Sequence, residues 1–410
     1  MRLSQLFIFF CRCLTFAALL LPSVPTHAAG VDLHAHLFMK SGLGPLFSGE
    51  FNDPLKAENW KSRFQSQINS EAVIRSGLDI IVVSLYAHPF LVWDRRNSIR
   101  RQLSQAADFV RQNPGWIIAK DPTSARKALS QKKQVLILSL EGASGILETD
   151  ADIREFVEEG GIRIVTFFHL TDDSLGGAAL LNGLRGIASP WALLKSMISG
   201  KTGTYGEYLN TGGITDTGLA LFKKLLSRKV WIDLAHAPDL AWPVVLPILE
   251  LSKQPLLVTH TSIREHLPME RTLSWPQVDF IAKSGGILGL MPSEEMLGKN
   301  SQSIQCLPDT SKNRPSPSSF IMQFLTLSSK LGDGHVMLGS DFNGGIYHLS
   351  PESVACSASF EEKGYWNLGQ SAEVLRTIEK FSGYSVNSSK MAESFLNAWE
   401  TAFNGSTSTQ

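Results

Sequence analysis

The sequence lacks an excess of either charge and shows no cluster of like charges. Its 410 residues contain 38 lysines and arginines and 38 aspartates and glutamates, so the formal net charge is zero. Without a basic patch, nothing in the chain indicates a nucleic-acid partner. The hydrophobic fraction of 43% and the charged fraction of 19% are those of an ordinary globular protein with an ample core.

Long hydrophobic runs are also absent, apart from one interrupted stretch near the N-terminus. That stretch, Leu6 to Leu21, follows Arg2 and precedes the small-residue segment that ends at Ala29. A positively charged start, an apolar centre and a small-residue end are together typical of a secretory signal. They predict a cleaved signal peptide over residues 1–29. We therefore expect export, to the periplasm of a Gram-negative cell or to the medium otherwise, with no stable membrane anchor after cleavage. The alternative is an uncleaved anchor, although the stretch is short for a membrane span.

Cysteine is scarce, because only Cys306 and Cys356 of the four cysteines lie beyond the predicted signal peptide. In an exported protein these two thiols can form a disulfide, and two separate buried thiols are the alternative. The sequence also lacks a G-x-S-x-G motif, so a serine nucleophile of that kind has no support. Residues 404–410 are polar and predict a disordered tail.

What the sequence does contain is a recurring short apolar run followed by a longer, helix-like stretch. Runs that are apolar at nearly every position are typical of strands buried on both faces of a parallel sheet. Eight such runs predict eight strands: Gly30–His36, Leu78–Ala87, Val135–Gly142, Ile162–His169, Val230–His236, Pro255–His260, Gly285–Pro292 and His335–Phe342.

Helical patterns lie between these runs, most clearly at Thr215–Lys229 and Ser274–Gly285. Strands that alternate with helices predict an α/β fold, a (β/α)8 TIM barrel that forms a single domain over residues 30–403. An open doubly wound sheet is the alternative, but the first strand is not followed by a glycine-rich phosphate loop. Three long segments on the predicted active-site face are expected to form lids or pocket walls: Leu37–Trp60, Thr171–Ile214 and Ser293–Ser316.

Histidines cluster at the ends of the predicted strands. Five of the nine histidines beyond residue 29 occupy such positions: His34, His36, His169, His236 and His260. The first two are two residues apart on one strand, so both side chains face the same side. Because neutral imidazole is a common metal ligand and active sites lie at the carboxyl ends of barrel strands, the pattern predicts a metal site in the barrel mouth.

Three charged residues complete the candidate site. Glu141 ends a buried strand, where a carboxylate is costly unless it is paired or bound to metal, and it could bridge two ions. Asp341 follows the last strand and is a candidate general base and acid, with a helix-capping aspartate as the alternative. Arg271 could bind a substrate carboxylate through two hydrogen bonds, unless it is an ordinary surface arginine.

With these residues in place, the sequence resembles the membrane (renal) dipeptidase family of the amidohydrolase superfamily, from Asp32 to about Gly345. The resemblance rests on ordered segments: DLHAH, SLEGASGIL, GIRIVTFFHLTDD, GGITDTGLALFKKLLSRKVWIDLAH, VTHTS, GGILGLMP and HVMLGSDFNG. It implies two zinc ions, with five ligands: His34 and His36 on the first ion, Glu141 on both, and His236 and His260 on the second. It also implies that His169 contacts the substrate carbonyl, Arg271 holds the C-terminal carboxylate, and Asp341 is the acid–base group.

Two positions depart from the family pattern. His36 stands where the family usually has aspartate, which would leave a metal pair one charge more positive. We expect a more acidic bridging water or a changed preference among metals. Asn343 stands where aspartate is frequent.

The resemblance therefore implies a metallodipeptidase that acts on a small-molecule dipeptide and tolerates a D-residue at the C-terminal position. Alternatives with the same metal site are an N-acyl-amino-acid or D-amino-acid amidohydrolase, or a lactonase. A catalytically inactive peptide-binding barrel is an alternative of another class. Manganese, cobalt and iron also suit histidine-rich sites, and a homodimer is left open by the sequence.

Overall fold

A computed structural model describes residues 30–42, 51–52, 65–181, 189–293, 295–298, 317–349 and 364–405. The predicted signal peptide and both candidate disulfide cysteines, Cys306 and Cys356, lie outside these ranges, as do most of two of the three long segments.

Eight parallel strands close into a barrel, as the sequence predicts. Each of the eight predicted runs overlaps one strand of the ring, with two strands extending one residue beyond their runs, and the first strand pairs with the last to close the ring. In ring order the strands are β1 (Val31–Ala35), β2 (Ile80–Leu85), β4 (Gln134–Glu141), β5 (Ile162–Thr166), β6 (Trp231–Asp233), β7 (Leu257–Thr261), β8 (Ile287–Leu290) and β9 (Val336–Leu338).

A ninth strand, β3 (Trp116–Ile118), is not among the strands predicted from the sequence. It pairs with the first half of β4, from Gln134 to Leu136, whereas β5 pairs with the second half from Leu138 onward. Strand β3 therefore lies beside the barrel rather than in its ring. Three residues are too few to produce a recognisable apolar run.

Helices surround the barrel, and two of them match the predicted segments closely. Helix α6 (Asp216–Ser227) begins after Thr215, whose side chain accepts a hydrogen bond from the backbone N–H of Gly218, and α8 (Trp275–Lys283) begins after Ser274. The helices are α1 (Ser70–Arg75), α2 (Arg95–Gln112), α3 (Pro122–Ser130), α4 (Asp150–Asp152, continued by a π-helix at Ile153–Glu159), α5 (Pro190–Ser199), α6 (Asp216–Ser227), α7 (Trp242–Leu251), α8 (Trp275–Lys283), α9 (Pro317–Leu331), α10 (Ser371–Ser382) and α11 (Ser388–Gly405). Short 3-10 turns form at Met39–Gly42 and Leu368–Gln370.

The last helix, α11, is part of the core. Phe395 and Trp399 on this helix are fully buried, and the ring of Phe395 lies 5.6 Å from the ring of Trp231 on β6. The helix continues to Gly405, two residues into the predicted tail, and residues 406–410 lie outside the described ranges. The backbone at Gly405 lies close to Ser252, because a Cβ added at Gly405 would be 2.2 Å from the carbonyl oxygen of Ser252.

The barrel strands are buried on both faces, which explains their continuous apolar character. All six residues of β2 and seven of the eight residues of β4 are buried. Fully burying one such side chain stabilises the fold by about 1.5–3 kcal/mol before the cost of ordering. A polar residue at the end of such a strand therefore needs a specific partner. In the part of the chain that is described, no helix has the length and apolar character needed to cross a membrane.

Candidate metal centre

Glu141 is the centre of the site. It is the last residue of β4, and its carboxylate is almost fully buried at the carboxyl end of the barrel. All five histidines that the sequence singled out place Nε2 close to this carboxylate. The distances are 3.4 Å for His34, 3.3 Å for His36, 3.4 Å for His169, 3.5 Å for His236 and 3.4 Å for His260.

The two oxygens of Glu141 face different neighbours. Oε2 lies near His36, whereas Oε1 faces the other four rings. Burial opposes ionisation of Glu141, but the surrounding histidines, His169 and His34 first, outweigh burial and hold its pKa well below the usual value. The carboxylate is therefore ionised and presents its two oxygens to two sides of the centre.

Three of the rings are held neutral by burial. Burial lowers the pKa of His169 to about 4 and places the pKa values of His236 and His260 well below the usual 6.5. At neutral pH these imidazoles each carry one lone pair, which is the form that binds metal. His236 and His260 bring their Nε2 atoms within 3.1 Å of each other.

His36 is in a different electrostatic environment. Its Nδ1 lies 3.2 Å from the carbonyl oxygen of Ser84, and its Nε2 lies 3.3 Å from Glu141 and 3.2 Å from Asp341. Burial favours the neutral ring, but hydrogen bonds to Asp341 and Glu141 prevail and raise the pKa of His36 to about 10. The two carboxylates thus favour positive charge at this point, which a proton or a metal ion can supply.

The donor set fits divalent metal. Among the described residues, Nε2 of His34 and Nδ1 of His236 are buried without a hydrogen-bond partner. In the described part of the chain, three groups of three have ligand atoms within 4.8 Å of one another: His34 with His36 and Asp341, Glu141 with His169 and His236, and His34 with Asp233 and His260. Neutral imidazole and carboxylate are the ligands that zinc and similar ions take in catalytic sites.

Asp341 is held in place by its backbone. Its N–H donates to the carbonyl oxygen of His34 at 2.8 Å, so β1 fixes the residue that follows β9. Asp341 and His236 both adopt left-handed backbone conformations, with φ of 51° and 63°. Such angles are costly for residues other than glycine and are concentrated at functional sites. Gly344 makes room for the carboxylate, because an added Cβ would lie 2.0 Å from Oδ1 of Asp341.

Arg271 lies in the loop after β7 and is almost completely buried. Its Nη2 donates to the carbonyl oxygen of His260 at 2.9 Å. Within the described ranges it forms no ion pair. Burial lowers its pKa to about 10, against the opposing effect of the charges on Asp341, Glu141 and Asp233. A buried guanidinium with an incomplete set of partners is a receptor for an anion, and its geometry suits a carboxylate.

A cavity of about 280 Å³ opens above the centre and contains these groups. Glu141, Asp341 and Arg271 line it together with the four histidines other than His34. The remaining wall is mainly apolar: Met39, Leu91, Leu170, Leu181, Met291, Met296 and Ile346. Its volume suits a small molecule that carries a polar end and an apolar side chain.

Residues 23–355 match the family model for membrane dipeptidases, peptidase family M19. The chain belongs to the membrane dipeptidase family. Two curated relatives match over part of their length: an uncharacterised Klebsiella pneumoniae protein from the pqqA 5′ region, 28% identical over 165 residues, and an uncharacterised Acinetobacter calcoaceticus protein from the PQQ-III 3′ region, 25% identical over 162 residues. The matches cover 40% and 39% of this chain, and this chain spans about half the length of these relatives, 56% and 43%.

Solved structures of similar fold span nearly the whole chain. A metallopeptidase from Rhodobacter sphaeroides, liganded with a phosphinate mimic of L-Ala-D-Ala, superposes with a TM-score of 0.66 at 16% identity, over 91% of this chain and 99% of its own. The probable dipeptidase PvdM from Pseudomonas aeruginosa gives 0.64 at 17% identity, over 92% and 96%. At this level of identity the likeness shows a shared fold.

One of the two departures from the family pattern has a structural role. The side-chain amide of Asn343 donates to the carbonyl oxygen of His36 at 3.1 Å, and its oxygen accepts from the backbone N–H of Gln67 at 2.9 Å. An ionised aspartate could not donate the first of these bonds. Asn343 therefore fixes the backbone of His36, the other departing residue.

Sequence reasoning missed several groups around the centre. Tyr86 and His88 follow β2 and line the cavity, and neither is among the site residues predicted from the sequence. Asp233 and Thr259 are fully buried behind the ligand rings. Asp233 could have been recognised in the same way as Glu141, because it is a carboxylate within an apolar run. Nothing in the sequence distinguishes Thr259 except that it precedes His260.

Glu270 was also missed, and it anchors the loop that carries Arg271. Its carboxylate accepts backbone N–H bonds from Leu180 at 2.9 Å, Asn210 at 2.8 Å and Asp239 at 2.9 Å. The backbone N–H of Arg271 in turn donates to the carbonyl oxygen of Leu180 at 3.2 Å. One buried carboxylate thus joins three loops beside the guanidinium.

Proposed function

We propose that this protein is an exported zinc-dependent dipeptidase that tolerates a D-residue at the C-terminal position. The observation that carries the proposal is the placement of Glu141 among five histidine Nε2 atoms, with Asp341 and Arg271 in the same cavity. Membership of the membrane dipeptidase family supports a metal-dependent hydrolase.

Five residues would hold two metal ions: His34, His36, Glu141, His236 and His260. Bound ions would supply a water of lowered pKa and positive charge beside the scissile carbonyl. The near-complete burial of these side chains supports the assignment, because a dry centre strengthens electrostatic interactions.

Asp341 and His169 would have separate roles in the hydrolysis. Asp341 would accept the proton of the attacking water and return it to the leaving amine. His169 would contact the carbonyl oxygen of the substrate. Its low pKa keeps the ring neutral at neutral pH, so it would act as a hydrogen-bond donor to the developing oxyanion.

Arg271 would determine the length of the substrate. Its buried guanidinium would bind the free carboxylate of a residue whose amide bond lies at the metal centre. A longer peptide would place an uncharged amide where the carboxylate belongs and would have to extend past a buried side chain. This arrangement favours a dipeptide over an internal peptide bond.

The configuration of the C-terminal residue is part of the proposal. The Rhodobacter sphaeroides metallopeptidase was solved with a phosphinate mimic of L-Ala-D-Ala, and the same type of substrate is a suitable probe here. The proposed export rests on the N-terminal sequence alone.

One observation favours a second candidate, an N-acyl-amino-acid amidohydrolase. Among the described residues that line the cavity, the only carboxylates are Glu141 and Asp341, and both contact His36. The ammonium group of a dipeptide therefore has no dedicated carboxylate in this part of the site. An N-acyl group would not need one.

The test is metal analysis and hydrolysis on one purified sample. About two metals per chain, measured by mass spectrometry, with chelator-sensitive cleavage of Gly-D-Ala and Ala-Ala, is the expected result. A matched panel replaces the ammonium group with an acetyl group, as in N-acetyl-D-alanine. Faster hydrolysis of the acetylated panel would favour the second candidate, and two metals without any cleavage would contradict both.

A further inference from the structure

We propose that Thr259 is a positioning residue shared by both metal sites: its single hydroxyl fixes the ring tautomers of His34 and His260. The inference rests on the proposed metal ligation by these two histidines. It assigns a role to a residue that neither the sequence nor the family match singled out.

The hydroxyl of Thr259 lies at a junction of three buried groups. Its Oγ1 is 2.6 Å from Oδ2 of Asp233, 2.9 Å from Nδ1 of His260 and 3.1 Å from Nδ1 of His34. Thr259, Asp233 and His34 are fully buried and His260 is 1% exposed, so water does not compete for these contacts.

The donor and acceptor inventory leaves one arrangement. A threonine hydroxyl has one proton and two lone pairs, and an ionised carboxylate only accepts. The proton of Thr259 therefore goes to Asp233, at the shortest of the three distances. Both imidazole contacts must then be N–H donors, so His34 and His260 each carry a proton on Nδ1. Their Nε2 atoms then carry the lone pairs. Each Nε2 lies 3.4 Å from Glu141, and that of His260 also lies 3.1 Å from Nε2 of His236.

Asp233 holds the hydroxyl in this orientation. Its Oδ2 also accepts from the hydroxyl of Thr166 at 2.6 Å, and its Oδ1 accepts from the backbone N–H groups of Ala235 and Thr259 at 2.9 Å each. Four donors surround the carboxylate, and it has no capacity left to bind a ring directly. The carboxylate of Asp233 therefore influences the two imidazoles through the hydroxyl of Thr259.

The two rings belong to different ions in the proposed site. His34 would bind the first ion and His260 the second, and their ring centroids lie only 3.8 Å apart. Partners of the distal nitrogen set the tautomer and basicity of a ligating histidine, and their removal typically weakens metal binding roughly 10- to 100-fold. Loss of one hydroxyl should therefore weaken both ions together.

The test is the isosteric change Thr259→Val, with Thr259→Ser to restore the hydroxyl. The matched control is Thr261→Val, because Thr261 is equally buried on the same strand and its hydroxyl makes only contacts of 3.4 and 3.5 Å. The readouts are stepwise affinities for Zn²⁺ by chelator competition and the protonated ring nitrogen of each histidine by ¹⁵N NMR.

We expect Thr259→Val to weaken both Zn²⁺ steps about 10- to 100-fold and to lose the paired Nδ1–H signals, with Thr259→Ser and Thr261→Val close to the starting protein. Weakening of one step alone, or unchanged affinities, would overturn the shared role. If Thr259→Val does not fold, the unsubstituted protein decides: protons on Nε2 of His34 or His260 in its metal-free form contradict the inference. Absence of Zn²⁺ binding by the unsubstituted protein would instead contradict the proposed function, while the metal-free ring tautomers still report on Thr259.

Discussion

Replacement of Arg271 by methionine should selectively remove recognition of the substrate carboxylate. Methionine fills much of the volume of the buried side chain but carries no charge. In the present structure the guanidinium donates to the carbonyl oxygen of His260 and forms no ion pair within the described ranges. Its unused donors therefore face the cavity, where the substrate would bind.

The size of the effect follows from burial. Removing one partner of a buried, hydrogen-bonded charge pair costs about 2–5 kcal/mol, which corresponds to roughly a 30- to 4,000-fold loss in kcat/KM. The loss should occur for a dipeptide and be small for the same dipeptide with a C-terminal amide. The ratio of the two kcat/KM values, rather than either value alone, measures carboxylate recognition.

The assay compares Ala-Ala with its C-terminal amide in the unsubstituted protein, in Arg271→Met and in Arg264→Met. Arg264 is also a buried arginine of this loop, but it forms an ion pair with Asp239 at 2.7 Å, so its replacement should lower stability and affect both substrates alike. Metal content of each variant is measured in parallel. An equal loss on both substrates in Arg271→Met, with metal retained, would refute the proposed carboxylate contact.

Three further predictions concern other groups. Asp341→Asn should lower kcat by at least about 100-fold while leaving metal content unchanged, because a general base contributes roughly 10²–10⁴; rapid turnover by this variant would exclude that role. Gly344→Ala should lower kcat with little change in KM, because the added Cβ displaces the carboxylate of Asp341; steady-state kinetics decide. His348 is buried and donates to the carbonyl oxygen of Ser340 at 2.7 Å, and burial lowers its pKa from 6.5 to about 4. The folded state thus disfavours the protonated ring, so stability is complete above pH 6.5 and falls by up to about 3 kcal/mol as the pH drops toward 4. The free energy of unfolding, measured in urea across this range, should change less with pH in His348→Gln than in the unsubstituted protein. The same pH dependence in both proteins would contradict the lowered pKa of His348.

The barrel could be predicted from sequence because its strands are buried on both faces. Such strands need apolar residues at nearly every position, and each of the eight resulting runs overlaps a ring strand. Strand ends were less predictable. The run Val230–His236 contains only the short strand β6, because a turn follows it at once: the backbone N–H of Ala237 donates to the carbonyl oxygen of Leu234 at 3.1 Å, and His236 within this turn has a positive φ.

The residues brought together at the centre were also visible in the sequence. Parallel strands place their carboxyl ends at one face, so histidines that end separate runs must converge there. Hydrogen-bond partners could not be predicted in the same way. Whether the hydroxyl of Thr259 faces two imidazoles depends on strand stagger and rotamers, which the sequence pattern does not encode. The anchoring of three loops by Glu270 depends on loop paths that no periodicity describes.

Closure of the ring by β1 and β9 imposes an order on the assembly of the centre. His34 and His36 leave the ribosome early, whereas Asp341 is made only after seven further ring strands and hydrogen-bonds to the backbone of His34 once β9 is in place. An ion that bound before the barrel formed would find His34 and His36 without the buried carboxylate of Glu141 and without Asp341 beside them. Binding to two exposed imidazoles would follow the general affinity order of divalent metals. Metal loading should therefore follow folding. The metal that the protein carries then depends on the compartment in which its last strand docks.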